Sequence, residues 1–395
     1  VKPMWAVIIP LLGQSWGNTF GTLAAAWDAL AMSAGLSAGS KEYLITAFWT
    51  ALFIWFWNMI IGMTICWFYG KGKAIRKGFL AVVLLSVIQG GGELLLTQVN
   101  TTIACFVPAC ISLIAILLLG RLPAFRKEWS VEDSRVMERG KDTQETEEKP
   151  EGMTLLHAFV PYILLSVIAL VVLLVEPVHT LLSKVQIGFS FPETVTGYGY
   201  VNEAVESFSP WTPFTHASMF LFVSAVIGMI YYKKKGWIQK GGIGRIFVRA
   251  VSMTMPSGMA IIGLVIMSKI MAGTGQTEVL ANGIAGVLGK VYVILSPFIG
   301  LLGSFMTGSN MSSNILFAGF QSTTANLLNV DPSIVLGAQS SGGSIGSAIS
   351  PSNIVLGTTT ANILGSEGKV LRKIIVITVP AALMIGVFVL ALTSL

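Results

Sequence analysis

Charge is what this chain lacks most: only 11% of its 395 residues are Asp, Glu, Lys or Arg, less than half of the ~25% usual for a soluble domain. With 53% hydrophobic residues and a mean hydropathy of +0.75, a soluble globular protein is excluded and a polytopic membrane protein remains. Cysteine is nearly absent. Cys66, Cys105 and Cys110 all fall in apolar stretches and the loop from Glu176 to Thr212 has none, so no disulfide framework exists and the three read as small buried fillers. Histidine is limited to His157, His179 and His216; His157 and His216 fall near span ends and read as interface markers. No metal site and no cofactor are expected.

The net charge of +6 does not point to nucleic acid, because the cations are sorted by loop. Twenty of the 25 Lys and Arg lie in four stretches, 71–77, 121–149, 233–249 and 369–373, whereas the 177–212 loop carries only Lys184. The positive-inside rule makes those four loops cytoplasmic and the 177–212 loop external.

Apolar runs of near-spanning length occur at Tyr43 to Tyr69, Thr101 to Leu119, Leu155 to Val175, Phe214 to Tyr232, Val251 to Met271, Tyr292 to Phe305 and Ile374 to Leu395, the last but one short of the ~20 residues a helix needs. Phe79 to Thr97 is another, interrupted by Gly90-Gly-Gly92. The fold class read from these runs is an all-α polytopic membrane protein of about ten membrane segments with broken or re-entrant helices. Its expected divisions are 1–35, the tail of a first repeat; 43–120, membrane helices; 121–152, a cytoplasmic linker; 153–302, membrane helices with the 177–212 outside loop; 303–365, a second broken-helix region; and 366–395, a C-terminal helix.

Within this apolar chain Thr307-Gly-Ser-Asn-Met-Ser-Ser-Asn314 and Gln339-Ser-Ser-Gly-Gly-Ser-Ile-Gly-Ser347 form a run of small polar residues. Such a tract reads as unwound backbone, which survives at membrane depth only where protein or a wet cavity satisfies it, and so as the lining of a solute path. A shift of 329 lays Val1-Lys-Pro3 on Val330-Asp-Pro332 and Gly13-Gln-Ser-Trp-Gly17 on Gly342-Gly-Ser-Ile-Gly346 without a gap. In each copy proline opens a helix and a Gly/Ser break is expected to follow. Loop charge puts Lys2 inside and Asp331 outside, so the copies cross in opposite senses, an inverted-topology repeat. Val1 is not Met and Lys2-Pro3 reads as a loop entering a helix, so the chain is expected to lack its true N-terminus, with a counterpart of Thr307 to Asn314 upstream.

Ser309-Asn310 and Ser312-Ser-Asn314 precede the apolar Ile315 to Ala318, and Ser350-Pro351-Ser352-Asn353 precedes Ile354 to Leu356. Both read as helix N-termini, whose free N–H groups and positive dipole ends suit an anion without a buried Lys or Arg. The candidate substrate-binding residues are therefore Thr307, Ser309, Asn310, Ser312, Ser313, Asn314, Gln339, Ser340, Ser341, Ser344, Ser350, Ser352 and Asn353, with Gln14, Ser15 and Asn18 from the first copy. The alternative is that these residues only cap helices or let them pack closely. Glu93 and Asp28, carboxylates within apolar segments, are the candidates for carrying a proton.

Pro297 to Gln321, followed by Gln339 to Asn353, resembles the C-terminal signature of the L-lactate permease family. That resemblance extends more loosely over the whole chain, and implies secondary transport of lactate, in some members glycolate, by proton symport across a bacterial plasma membrane. The partners it implies are a small carboxylate, a proton and the lipid bilayer. Two rivals remain. A passive channel would also suit a wet polar tract. Gly13 to Gly17 and Gly342 to Gly346 also fit G-x-S-x-G, the elbow of serine hydrolases, which would make Ser344 a nucleophile, but helical openings rather than strands precede both.

Overall fold

A computed structural model describes residues 1–126, 129–132, 134–137, 152–197, 199, 201–202, 204–238 and 241–394. The acid-rich middle of the expected linker, 138–151, lies outside them. The described chain is overwhelmingly helical, as hydrocarbon demands of a backbone that must satisfy itself. It divides into two compact units, Val1–Gly140 with Leu264–Leu395, and Lys141–Gly263.

In the first unit α1 (Pro3–Ser15) opens on its proline, where a missing N–H costs nothing. Turns over 16–24 follow, with Leu23 and Ala24 at positive φ, before α2 (Ala25–Ala34). The next helix, α3 (Lys41–Ser86), is capped by Ser40 and leaves helical geometry at Gly70 and Lys71. Contacts across that point are antiparallel: Asn58 Nδ2 donates to Gln89 Oε1 at 3.0 Å, and the hydroxyls of Tyr43 and Thr101 lie 2.9 Å apart. The expected spans 43–69 and 79–97 thus form one hairpin, with Lys71, Lys73, Arg76 and Lys77 at its turn. Gly90-Gly-Gly92 does not break the second arm; the chain passes through a π-helical turn, Val87–Gly91, into α4 (Gly92–Leu96). Side chains are excluded here because Gly90 abuts the Trp55 ring and Gly92 abuts Pro108. After turns over 101–105 come α5 (Phe106–Leu119) and α6 (Pro123–Arg126).

The second unit holds α7 (Leu155–Ala158), α8 (Val160–Leu174), α9 (Glu176–Leu182), α10 (Ala217–Lys234) and most of α11 (Gly242–Gly273). Gly228 of α10 packs on Pro161 of α8, and the Tyr232 hydroxyl donates to the carbonyl of Ala158 at 3.0 Å. The chain bends by 88° between α8 and α9. The loop over 177–212 departs from the all-helical expectation. β1 (Ile187–Phe191) pairs antiparallel with β4 (Val205–Trp211), and β2 (Thr194–Val195) with β3 (Val201–Asn202), as befits its aromatic and β-branched residues.

The first unit resumes with α12 (Gln276–Leu288), a 3-10 turn, α13 (Tyr292–Thr307), α14 (Asn310–Leu327), α15 (Pro332–Ser347), α16 (Pro351–Thr360) and α17 (Glu367–Ser394). The glycine-rich tract corrects the expectation of unwound backbone, because Gly342 to Gly346 lies wholly inside α15. The cause is tertiary packing. A Cβ on Gly300 would strike the Gln339 carbonyl, one on Gly342 the Pro297 carbonyl, one on Gly346 the Leu301 carbonyl and one on Gly386 the Ile294 carbonyl, so α13 packs backbone to backbone on α15 and α17. Within the polar segments 307–314 and 339–353 the breaks are Gly308–Ser309, with Gly308 at φ +79°, and 348–350.

Among the described residues, three helical runs are long and apolar enough to cross a membrane, Lys41–Leu96, Gln276–Thr307 and Glu367–Ser394, and the bent α8–α9 pair would make a fourth. The protein is a multi-pass membrane protein. In the hairpin's first arm, the 41–69 end serves as a ruler. Trp5 of α1 packs on Phe68, with ring centroids 4.6 Å apart, whereas Gly337 of α15 packs on Trp49. At 1.5 Å per residue those two contacts are about 28 Å apart, so α1 and α15 begin near opposite ends of the arm. Residues related by the 329 shift also meet, for Asn18 donates to Ser347. Cysteines at Lys71, Lys234 and Lys373 are expected to react with an impermeant maleimide only from the cytoplasmic side, and one at Thr196 only from outside. The reverse pattern would overturn the assigned orientation.

Candidate functional site

The two short breaks meet. Ser309 caps α14, accepting from Ser312 N at 3.4 Å, and Ser350 caps α16, accepting from Asn353 N at 3.3 Å. Thr307 closes the end of α13 by donating to the Gly303 carbonyl at 2.8 Å. Asn353 Nδ2 donates to the Ser347 carbonyl at 2.9 Å and reaches the Gly308 carbonyl at 3.4 Å. Ser352 sits so close to Gly308 that a Cβ there would collide with its hydroxyl. The N-termini of α14 and α16 are therefore neighbours, and each offers N–H groups that no helical carbonyl takes.

Below them lies a buried polar core. Asn310 Nδ2 donates to Thr19 Oγ1 at 2.9 Å and to Ser344 Oγ at 3.2 Å, and the two hydroxyls lie 2.9 Å apart. One turn on, Asn314 Nδ2 donates to the Ala26 carbonyl at 2.9 Å and to Ser340 Oγ at 3.1 Å. Further along, Gln321 accepts from the Tyr292 hydroxyl at 2.5 Å and donates to the Ser296 carbonyl and to Gln339 Oε1. Gln339 Nε2 in turn donates to Ser313 Oγ at 3.2 Å, and Ser313 donates to the Gly300 carbonyl. The Gln321 end of this network is fully paired. At the other end Asn310 Oδ1, Asn314 Oδ1 and Ser304 Oγ are buried without a hydrogen-bond partner, an arrangement that costs energy unless a solute or water completes it. Gly343 leaves room for two of these atoms, since a Cβ on it would press on Asn310 Oδ1 and lie 3.2 Å from Ser304 Oγ.

The sequence profile of the L-lactate permease family matches residues 1–395. The chain belongs to the L-lactate permease family. It is similar to the glycolate permease GlcA of Escherichia coli K12, 32% identical over 179 residues, or 45% of this chain and 31% of that protein. It is also similar to an L-lactate permease of Streptococcus iniae, 24% identical over 336 residues, or 84% of this chain and 64% of that one. A putative L-lactate permease of Haemophilus influenzae is 29% identical over 157 residues, 39% of this chain and 29% of its own length. The chain thus spans less than two thirds of each of these relatives. No solved structure matches it.

The anticipated residues separate into those that face the polar core and those that do not. Asn310, Asn314, Ser340, Ser344 and Asn18 converge there, and Gln339 and Ser313 join it through Gln321. Ser309, Ser350, Ser352, Asn353 and Thr307 form the rim at the two helix starts, with Ser312 buried in the first turn of α14. Gln14 is exposed, so the first copy does not present it to the core. Ser15 turns instead toward α3, accepting from Trp57 Nε1 at 2.8 Å. Ser341 also faces α3, donating to the Gly337 carbonyl at 2.7 Å and reaching the Thr50 carbonyl at 3.3 Å. Thr19, Ser304, Gln321, Tyr292 and Ser347 were not anticipated. The spacing of Asn310, Asn314 and Gln321, four and seven residues apart on α14, is the available signal for Gln321, because it sets all three on one helix face.

Ser344 lies mid-helix with Thr19 and Asn310 as its hydroxyl's partners, so the strand-to-helix elbow that a hydrolase nucleophile needs is not formed. The two carboxylates differ. Asp28 is exposed in the first turn of α2. Glu93 is 0% exposed, and neither carboxyl oxygen has a hydrogen-bond partner.

Proposed function

We propose that this chain forms the solute-binding part of a secondary transporter for a small 2-hydroxy monocarboxylate, lactate or glycolate, moved with a proton across a bacterial plasma membrane. The observation that carries this is the pairing of two neighbouring helix N-termini with unpaired amide oxygens on Asn310 and Asn314. N–H groups at the helix starts suit a carboxylate, whereas an amide oxygen can only accept, which suits the 2-hydroxyl of the same molecule. Family membership and the names of the relatives support the substrate class. Alternating access follows from two oppositely directed broken helices around one site.

Glu93 is assigned the proton. A carboxylate buried in an apolar surround without partners is stable only when neutral, so it must take a proton before its element closes on hydrocarbon. The full-length permease in proteoliposomes should accumulate labelled lactate above equilibrium when the outside is acidified. A passive channel would only equilibrate it. Glu93→Gln mimics the protonated state permanently; it is expected to abolish pH-driven accumulation while leaving lactate counterflow, which needs no net proton movement, within about twofold of wild type. Undiminished accumulation in that variant would remove Glu93 from the coupling.

A further inference from the structure

Cations from three distant parts of the first unit gather at one place. Lys71 of the hairpin turn, Arg135, and Lys369, Arg372 and Lys373 of α17 line a cavity of about 470 Å³ with Met4, Trp5, Trp67, Phe68 and Val376. A second cavity of about 620 Å³ shares Phe68, Lys71 and Arg135 with it and adds Lys73 and Arg76. No carboxylate lines either cavity among the described residues.

This convergence is built by specific contacts. Trp5 at the start of α1 is held between Phe68, 4.6 Å away by ring centroids, and the Lys373 ammonium, 4.9 Å from its ring. Arg135 is fixed from both sides: Ser134 Oγ donates to the Tyr69 carbonyl at 2.8 Å, and Lys2 N donates to the Val136 carbonyl at 2.8 Å. Loop charge that served orientation alone would need no such gathering, since the rule counts charges per loop and not their positions. Beside the cations the surface turns apolar and open, with Trp67 53% and Val376 68% exposed. An aromatic ring and an aliphatic side chain left bare next to a basic cleft match the boundary between headgroups and acyl chains.

We propose that these twin cavities bind the headgroup of an anionic phospholipid, with the shared Lys71 and Arg135 between two phosphodiester positions and the acyl chains lying along Trp67 and Val376. A lipid with two phosphodiesters, of the cardiolipin class, fits both compartments at once; phosphatidylglycerol fills one and phosphatidylethanolamine brings no net charge.

Delipidated full-length permease, titrated in detergent with each of the three lipids and read by native mass spectrometry, tests this. Retention should follow cardiolipin over phosphatidylglycerol over phosphatidylethanolamine and should fall steeply with salt. The combined Lys71→Ala, Arg135→Ala and Arg372→Ala variant should lose cardiolipin affinity by on the order of 100-fold, and the charge-preserving Lys71→Arg, Arg135→Lys and Arg372→Lys variant should keep it. Equal retention of cardiolipin and phosphatidylethanolamine by wild type would overturn the proposal without recourse to any variant. So would displacement of the lipid by millimolar lactate, which would mark the cavities as a substrate entrance, or by inorganic phosphate at the same concentration, which would mark a soluble-anion site.

Discussion

Asn310→Asp is expected to abolish lactate uptake per inserted molecule, while Asn310→Ala retains a measurable fraction. The amide lies 3% exposed at the first turn of α14. Replacing it with alanine removes donor bonds to Thr19 and Ser344, but those hydroxyls are already 2.9 Å apart and can satisfy each other, so the loss is near the lower end of the ~1–3 kcal/mol for a broken buried hydrogen bond. Aspartate instead places a negative charge beside the position proposed for the substrate carboxylate. At ~4 Å and an effective dielectric of ~20 the repulsion is about 4 kcal/mol, close to a thousandfold in affinity. Acidification should partly restore the aspartate variant, since its protonated carboxyl resembles the amide, and should do nothing for the alanine variant. The alanine variant should also discriminate less between lactate and propionate, which lacks the 2-hydroxyl that Asn310 Oδ1 is proposed to accept. Equal normalised uptake by both variants and wild type would leave Asn310 a packing residue only.

Gly342→Ala is expected to remove most of the protein from the membrane, and Gly13→Ala, its counterpart under the 329 shift, to leave abundance unchanged or raised. Gly342 faces the Pro297 carbonyl so closely that an added Cβ would overlap main-chain atoms, which no rotamer change can relieve, whereas a Cβ on Gly13 meets nothing within 4 Å. Overpacking of a tight interface costs about 1–3 kcal/mol and more when backbone must move. At Gly13 the substitution instead gains up to ~1 kcal/mol of helix propensity. Immunoblots of inserted protein and thermal melting in detergent separate the two. If both variants were equally abundant, the backbone contact between α13 and α15 would not govern folding.

Sequence signals are legible where the chemistry is local. Pro3, Pro332 and Pro351 open helices, and Ser309 and Ser350 cap them, because missing donors and short acceptor side chains act within one turn. The Gly342 to Gly346 tract departs from its sequence expectation for the complementary reason. Glycine's poor helix propensity is a property of a segment alone, but here it is overridden by the approach of α13, whose sequence gives no notice of it. Thr19 was missed on the same ground: its partners Ser344 and Asn310 lie about 300 residues away, and nothing within the 16–24 turns distinguishes it from an ordinary loop threonine. Asn18, one position earlier, belongs to the first copy of the 329 echo, and its partner Ser347 is the residue that echo lays on it.

The backbone contacts at Gly300, Gly342, Gly346 and Gly386 also bear on mechanics. A helix interface built of main chain has few rotamers with which to yield, so α13, α15 and α17 form a stiff slab that transmits displacement instead of absorbing it. Around the Asn310 core, compliance is left to stretches where the ladder of helical hydrogen bonds is interrupted: 16–24, where Ala24 sits at φ +64°, Gly308–Ser309, and 348–350. All three border the Asn310 core. Dihedral rotation in those few residues would therefore swing α2, α14 and α16 against a fixed frame, so that the hinges adjoin the polar core proposed to take the solute.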